Sequence, residues 1–466
     1  MPIDQDTLEA LQLAARAGSD YRQRTVDAAT TPVDSYAQVL ARFAEPVPET
    51  GGVPTEIIAD LIARADGGIR AMTGPRFFGW VIGSSHPTGV AADWLTSAWG
   101  QNAANVVAAP AACAVEAVVA GWVLDLLDLP RESSVGVVSG ATVANTVCLA
   151  AARGEVLRRA GWDVEADGLF GAPEITVMIG ADAHATVFSG LRYLGLGAKR
   201  VIEIATDSLG RMLASDLAER LESHSGPLIV IAQAGQINTG VSDPFAQIAP
   251  LVRKAGGWLH VDGAFGLWAA ASSKHRHLVA GVEQADSWGT DGHKWLQTPY
   301  DGSFAIVRDE AAHRRAMSIT ASYLPGAAPS ERDPTSYVME LSRRARGFAM
   351  WAMIRQLGRT GVAAMVEQDI AVAQAMAAGM AAIEGAELIA MPELNQFMVR
   401  FGDSDDLTRA VLAQVQEDAV AFIGGSEWHG QWVMRVSVCS IATTPEDGRI
   451  TVDAVRAAWE KVRARG

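Results

Sequence analysis

Cysteine is scarce in this chain. There are three in 466 residues, Cys113, Cys148 and Cys439. An odd, scattered set provides neither a disulfide framework nor a zinc cluster, so no metal is expected and a reducing, cytoplasmic compartment is. Positive charge is also in deficit, with 38 Lys and Arg against 53 Asp and Glu and a net charge of −15. That argues against nucleic acid as a partner, because phosphate-backbone binding needs a basic face. A small anion stays open, since a few backbone N–H groups suffice for one phosphate. No long apolar run goes uninterrupted. The most apolar stretch, "AANVVAAPAACAVEAVVAGWVLDLLDLP", is broken by Asn105, Pro110, Glu116 and Asp125. It predicts a buried helix, not a membrane span. The opening "MPIDQDTLEALQLAARAGSDY" has early acids and no apolar centre, so no secretory signal is expected. Internal repeats and low-complexity tracts are missing as well. Two common motifs fail on single residues. "GVVSGATVAN" lacks the GK[ST] ending of a P-loop, and Val137 stands where a hydrolase elbow needs glycine.

What is present is rhythm. Half of the residues are hydrophobic (49%), enough for a large core and more than one domain. From about residue 133, short apolar runs recur: "SSVGVVSG", "EITVMIG", "RVIEIAT", "PLIVIAQAG", "WLHVDGA", "ADSWGTD" and "SFAIVRD". Helix-like segments such as "SDLAERLESHSG" and "PFAQIAPLVRKAGG" lie between them. Alternating strand and helix predicts a mostly parallel sheet covered on both faces, with ligands at the carboxyl ends of the strands. Residues 1–105 read as helices and loops, 106–340 as the large α/β domain. Residues 341–466 read as a long helical region leading to a small α+β domain. There "NQFMVRF" and "WVMRVSVCS" predict strands, and "LTRAVLAQVQEDAV" and "TVDAVRAAWEKVRA" helices.

Four features fall at successive strand ends. "GVVSGATVAN" runs from a strand into a helix, so Ser139, Gly140, Ala141 and Thr142 sit where free N–H groups hold an anion. An ordinary helix cap is the plain alternative. His184 follows "EITVMIG" and offers a flat ring for stacking, or a structural histidine. Asp262 ends "WLHVD" and can bond a heterocyclic N–H, or simply turn the chain with Gly263. Lys294, in "TDGHKWLQTPYDG", lies one strand later. A buried lysine sheds its proton, and the neutral amine is a nucleophile toward carbonyl carbon. A surface loop lysine is the alternative. Together the four are the parts that a pyridoxal phosphate site needs.

"VDGAFGLWA" followed by "ADSWGTDGHKWLQTPYDG" resembles the group II pyridoxal-dependent amino acid decarboxylases, the family of the aromatic amino acid, tyrosine, histidine and glutamate enzymes. "RFFGWVIGSSHPTGVAADWLTSAWG", "SGATVANTVCLAAAR" and "LSRRARGFAMWAMIRQLGRTGV" extend the resemblance over most of the chain. It implies an α/β fold of the aspartate aminotransferase type (fold type I), with a mostly parallel mixed sheet and a small C-terminal α+β domain. Position by position, it implies that Lys294 holds pyridoxal 5'-phosphate covalently, Asp262 pairs with the pyridine nitrogen and His184 stacks on the ring. Ser139, Gly140, Ala141 and Thr142 are implied phosphate binders, with His293 a further one. It also implies a homodimer with shared active sites, and a loop tyrosine that protonates the carbanion once CO2 has left. "SITASYLPGAAPSERDPTSY" is similar to that loop. Tyr323 is therefore the candidate acid, with Tyr337 as second choice.

Two departures stand out. The family's threonine-rich turn is here "AQAGQINTGVSDP", where Asn238 or Gln236 is the candidate replacement for a cofactor-touching threonine. The segment from Trp80 to His86 brings no extra cation, which disfavours glutamate. Phe77, Phe78, Trp80, Trp94 and Trp99 suit an aromatic or apolar substrate side chain, or are plain core. The expected reaction is decarboxylation of such an L-amino acid to its amine. An aldol-type C–C lyase, an aldehyde synthase, an aminotransferase or an inactive scaffold are the alternatives.

Overall fold

The computed structural model describes residues 3–319 and 331–465. Four helices come first: α1 (Gln5–Arg24), α2 (Tyr36–Phe43), α3 (Pro54–Ala65) and α4 (Pro87–Trp99). The apolar stretch forms α5 (Pro110–Leu126), entered by a proline at its first turn, where a missing N–H costs nothing. Glu116, one of the four interruptions in that stretch, is buried and paired with buried Arg343. Among the described residues no helix is long and apolar enough to cross a membrane.

The large unit then runs β1 (Ser134–Val138), α6 (Ala141–Arg159), α7 (Val164–Asp167), β2 (Thr176–Gly180), α8 (Ala185–Tyr193), β3 (Ile202–Ile204) and α9 (Ala214–Glu222). It continues with β4 (Leu228–Gln233), α10 (Phe245–Lys254), β5 (Trp258–Asp262), β6 (Ser287–Asp291), β7 (Ser303–Val307) and α11 (Glu310–Met317). All seven runs read as strands are strands. Their order in the sheet is β1-β7-β6-β5-β4-β2-β3. β7 is antiparallel to both neighbours, and the pairs β6–β5, β5–β4, β4–β2 and β2–β3 are parallel. Strands β1, β4, β5, β6 and β7 are buried at every position, and β1, β4 and β7 accordingly read as near-continuous apolar runs and not as alternating ones. Every strand but β7 points its carboxyl end to the same edge.

α12 (Gly347–Ala381) crosses from this unit to the next and breaks at Gly358, whose φ of +59° and ψ of 177° lie outside the helix. A residue with a Cβ resists that conformation. Beyond it come β8 (Ala386–Leu388), β9 (Gln396–Phe401), α13 (Asp405–Asp418), β10 (Gly424–Trp428), β11 (Gln431–Ser437) and α14 (Pro445–Arg463). The second sheet is antiparallel, in the order β10-β11-β9-β8. Its own core, with Phe397, Phe401, Val436 and Trp459, is separate from that of the large sheet.

Candidate active site

A cavity of about 250 Å³ lies at the carboxyl edge of the large sheet. Each wall arrives at the end of a strand. β1 delivers Gly140, Ala141 and Thr142, and the loop after β2 delivers His184 and Thr186. Gln233, Gly235 and Ile237 follow from β4, Asp262, Ala264 and Phe265 from β5, and Asp291, His293 and Lys294 from β6. The sheet thus brings together most of the residues singled out above. Ser139 and Asn238 do not line the cavity. Tyr323 lies outside the described residues. Tyr337 is buried elsewhere, its hydroxyl on Glu310 and its carbonyl taken by His313.

α6 begins without a side-chain cap, so the N–H groups of its first turn face the cavity without a competing acceptor from a capping residue. A helix start of this kind is suited to an anion. His184 caps α8. Its Nδ1 accepts from the Thr186 backbone N–H at 3.4 Å and contacts the Thr186 hydroxyl at 2.7 Å. Nδ1 is therefore an acceptor, and the ring proton sits on Nε2. Burial lowers the His184 pKa, with Asp262 opposing and Lys294 and Arg435 assisting, so the ring is a neutral plate. Asp262 is 6% exposed, and its Oδ1 accepts from Ala264 N at 3.2 Å. Its second oxygen has no hydrogen-bond partner among the described residues.

Lys294 Nζ is 3.0 Å from Oδ2 of Asp291 and 5.8 Å from the centre of the Phe265 ring. Burial works to raise the Asp291 carboxyl, but Lys294, His293 and Ser303 together hold it below the usual carboxylate range. His293 is committed on both ring nitrogens. Nδ1 accepts from Gly302 N–H at 3.3 Å, and Nε2 lies 3.5 Å from Asp291. Burial lowers its pKa as well.

The polar side chains of the altered turn after β4 are all engaged by hydrogen bonds. Gln236 Oε1 accepts from Asn238 N (2.6 Å) and Thr239 N (3.0 Å), and its Nε2 donates to Asp182 O. Asn238 points to buried Arg435. Of this turn, Ile237 lines the cavity and Gln236 and Asn238 do not, so an apolar group stands where Asn238 or Gln236 was expected. The aromatic set does not line the cavity either. Phe77 stacks on Phe422 at 4.8 Å, and Trp80, Trp94 and Trp99 are half exposed.

Three residues went unread in the sequence. Asp291 sits three before the lysine at the strand end, a spacing visible in "TDGHK". Thr186 is the residue that orients His184. Gln297, fully buried at a φ of +58°, joins three segments. Its Oε1 accepts from Ser84 N, Ser84 Oγ and Ile441 N, and its Nε2 donates to Lys294 O and Cys439 O. Close to it, a Cβ at Gly83 would lie 2.3 Å from the carbonyl oxygens of both His293 and Lys294, so only glycine lets that segment lie on the lysine loop.

The residues present fit pyridoxal phosphate: an uncapped helix start for the phosphate, a flat neutral ring, a carboxylate with a free oxygen and an amine share one cavity. Comparison with known proteins agrees. The model of the pyridoxal-dependent decarboxylase conserved domain matches residues 38–402. An aromatic-L-amino-acid decarboxylase of Bacillus atrophaeus is 24% identical over 436 residues, covering 90% of this chain and 88% of that protein. A 4-hydroxyphenylacetaldehyde synthase of Rhodiola rosea is 26% identical, covering 83% and 81%. The crystal structure of Oryza sativa TDC with PLP and tryptamine superposes with a TM-score of 0.91 over 99% of both chains, at 21% identity.

Proposed function

Because this chain belongs to the pyridoxal-dependent decarboxylase family, we propose that it removes the α-carboxyl group of an L-amino acid with an aromatic or apolar side chain, yielding the amine and CO2. The observation that carries the reading is the convergence of Lys294, Asp262 and His184 on one cavity. Bound there, pyridoxal phosphate supplies the electron sink for the pair left on Cα when CO2 departs.

The chain's own residues do the rest. Lys294 is the amine that would hold the cofactor covalently. Asp262 would accept from the ring nitrogen, and His184, oriented by Thr186, would offer its flat face to the ring. Holding the ring in one orientation is what would select the bond broken at Cα. The N–H groups at Gly140, Ala141 and Thr142 would hold the phosphate, with Ile237 at the same cavity. Tyr323 is the candidate donor of the proton to Cα.

A homodimer with shared sites belongs to this reading. Trp80, Trp94 and Trp99 are 52%, 43% and 50% exposed in the single chain, and apolar surface of that kind marks an interface. A cytoplasmic setting fits the three free, buried cysteines. Aldehyde formation is the second reading, favoured by the similarity to the Rhodiola rosea synthase.

The test is incubation of the cofactor-loaded protein with the standard amino acids, following products by mass with CO2 trapped separately. One amine in equal amount to CO2 supports decarboxylation. An aldehyde with ammonia supports the second reading, and no product from any amino acid rejects both.

A further inference from the structure

Asp291 has no part in the roles assigned so far. It ends β6 and is 2% exposed. Its Oδ2 lies 3.0 Å from Lys294 Nζ and 3.5 Å from His293 Nε2, and its Oδ1 takes the Ser303 hydroxyl. The backbone is pinned too, since its N–H donates to Ala264 O and its carbonyl accepts from Trp268 Nε1, each at 2.9 Å. This carboxylate cannot swing away from the amine. Two opposite charges in contact under low dielectric hold each other ionised, and separating them leaves one buried and unpaired.

We propose that Asp291 is a positioning residue for Lys294, holding its amine as an ion pair whenever no cofactor is bonded to it, so that covalent capture must first break that pair. The inference rests on the cofactor reading above. Capture joins Nζ to the aldehyde carbon and expels the aldehyde oxygen as water. The attack uses the lone pair of Nζ, so the extra proton of the ammonium must first pass to solvent. Asp291 opposes that loss, because it is then left with Ser303 and His293 alone. The other charged or titratable groups about the pair are His293 in the same loop, Asp262 from β5, His184 at the start of α8, Arg435 from β11, Tyr300 and Cys439. Among the described residues, Asp291 is the acid in salt-bridge contact with Nζ.

The experiment follows the uptake of aldehyde by cofactor-stripped protein, read as the visible absorbance of the lysine-bound ring, at several pH values. Two probes are used, pyridoxal 5'-phosphate and pyridoxal. Asp291→Asn should capture both faster at neutral pH, by about tenfold, the rate ratio of a barrier about 1.4 kcal/mol lower. Its rate should also rise less steeply with pH than that of the wild type. Asp291→Ser, which removes the charge in a smaller side chain, should move both quantities the same way and serves if the amide does not fold. Rates and pH profiles that superimpose on the wild type overturn the proposal. Acceleration with the phosphate ester alone also overturns it, because the carboxylate then acts by repelling phosphate. A wild type that captures neither probe overturns the cofactor reading itself, a result distinct from the other two.

Discussion

Trp295 Nε1 donates to Oδ2 of Asp369 at 2.6 Å, which fastens the residue after Lys294 to the middle of α12. Asp369 is fully buried, and burial raises its pKa well above the ordinary value, with Trp295 opposing. Its other oxygen has no partner among the described residues. Burial favours the neutral acid there. Asp369→Asn should therefore be nearly silent, within about 1 kcal/mol by urea denaturation. Asp369→Ala, which strands the indole N–H, should cost about 1–3 kcal/mol. An amide variant as damaging as the alanine one would mean that an anion is held there.

Gln297 predicts a different pattern. Leucine matches its size but removes every hydrogen bond to Ser84, Lys294, Cys439 and Ile441. Gln297→Leu should bind pyridoxal phosphate more weakly, by at least about tenfold or 1.4 kcal/mol, and give a displaced visible circular dichroism band from the tilted ring. Gln297→Glu keeps the acceptor for Ser84 and Ile441 and loses the donor to Lys294, so its affinity should fall between the two. Affinity and band equal to wild type in the leucine variant would leave Gln297 a filler of space.

Asp262 is the group expected to hold the ring proton. Asp262→Ala should lower kcat by at least about a hundredfold, or 2.7 kcal/mol of barrier, while the lysine-bound absorbance remains. Wild-type turnover in that variant would remove Asp262 from the chemistry.

Tyr323 carries the choice of product. Tyr323→Phe should slow amine release and divert turnover toward aldehyde or other abortive products, measured by mass. An unchanged product ratio would assign the proton transfer to another group.

His260 sets an acid limit on stability. It is fully buried between Ser287 Oγ and Asn145 Oδ1, and burial takes its pKa down to about 3. The unfolded chain binds a proton at this position below about pH 6.5, where the folded one does not until about pH 3. Between those values the unfolded state holds more protons, so stability falls as pH falls. His260→Gln should flatten that slope by up to about 1.4 kcal/mol per pH unit, seen in melting curves from neutral pH to pH 4.5. Parallel slopes for the two proteins would show that His260 does not report the acid transition.

Much of this was legible in the sequence, and the reason is local. Most strands of the large sheet are buried at every position, so runs such as "SSVGVVSG", "PLIVIAQAG" and "SFAIVRD" are predominantly apolar and do not resemble a solvated loop. Asp262, Lys294 and His184 follow those runs directly, so their shared edge could be inferred from the order of elements. β8 and β10 were not read. They are edge strands, and β10 is "GGSEW", where glycine and a charged residue hide the pattern. The turn at Gln236 was not legible either, because Gln236 bonds the backbone of Asn238, Thr239 and the distant Asp182 and leaves Ile237 at the cavity. Asp291 and Gln297 escaped for another reason. Their roles arise from partners brought in by folding, and a carboxylate or amide after a strand has many ordinary uses.

The position of Gln297 also dates the site within the life of the chain. Its bonds reach back 213 residues to Ser84 and forward 142 and 144 residues to Cys439 and Ile441. Contacts of such long sequence separation form late, once the loops between them have closed. During synthesis from the N-terminus, the lysine loop has no finished seat until residue 441 has emerged, although the large sheet is complete long before. A nascent chain thus carries Lys294 well before all the residues that seat its loop have emerged.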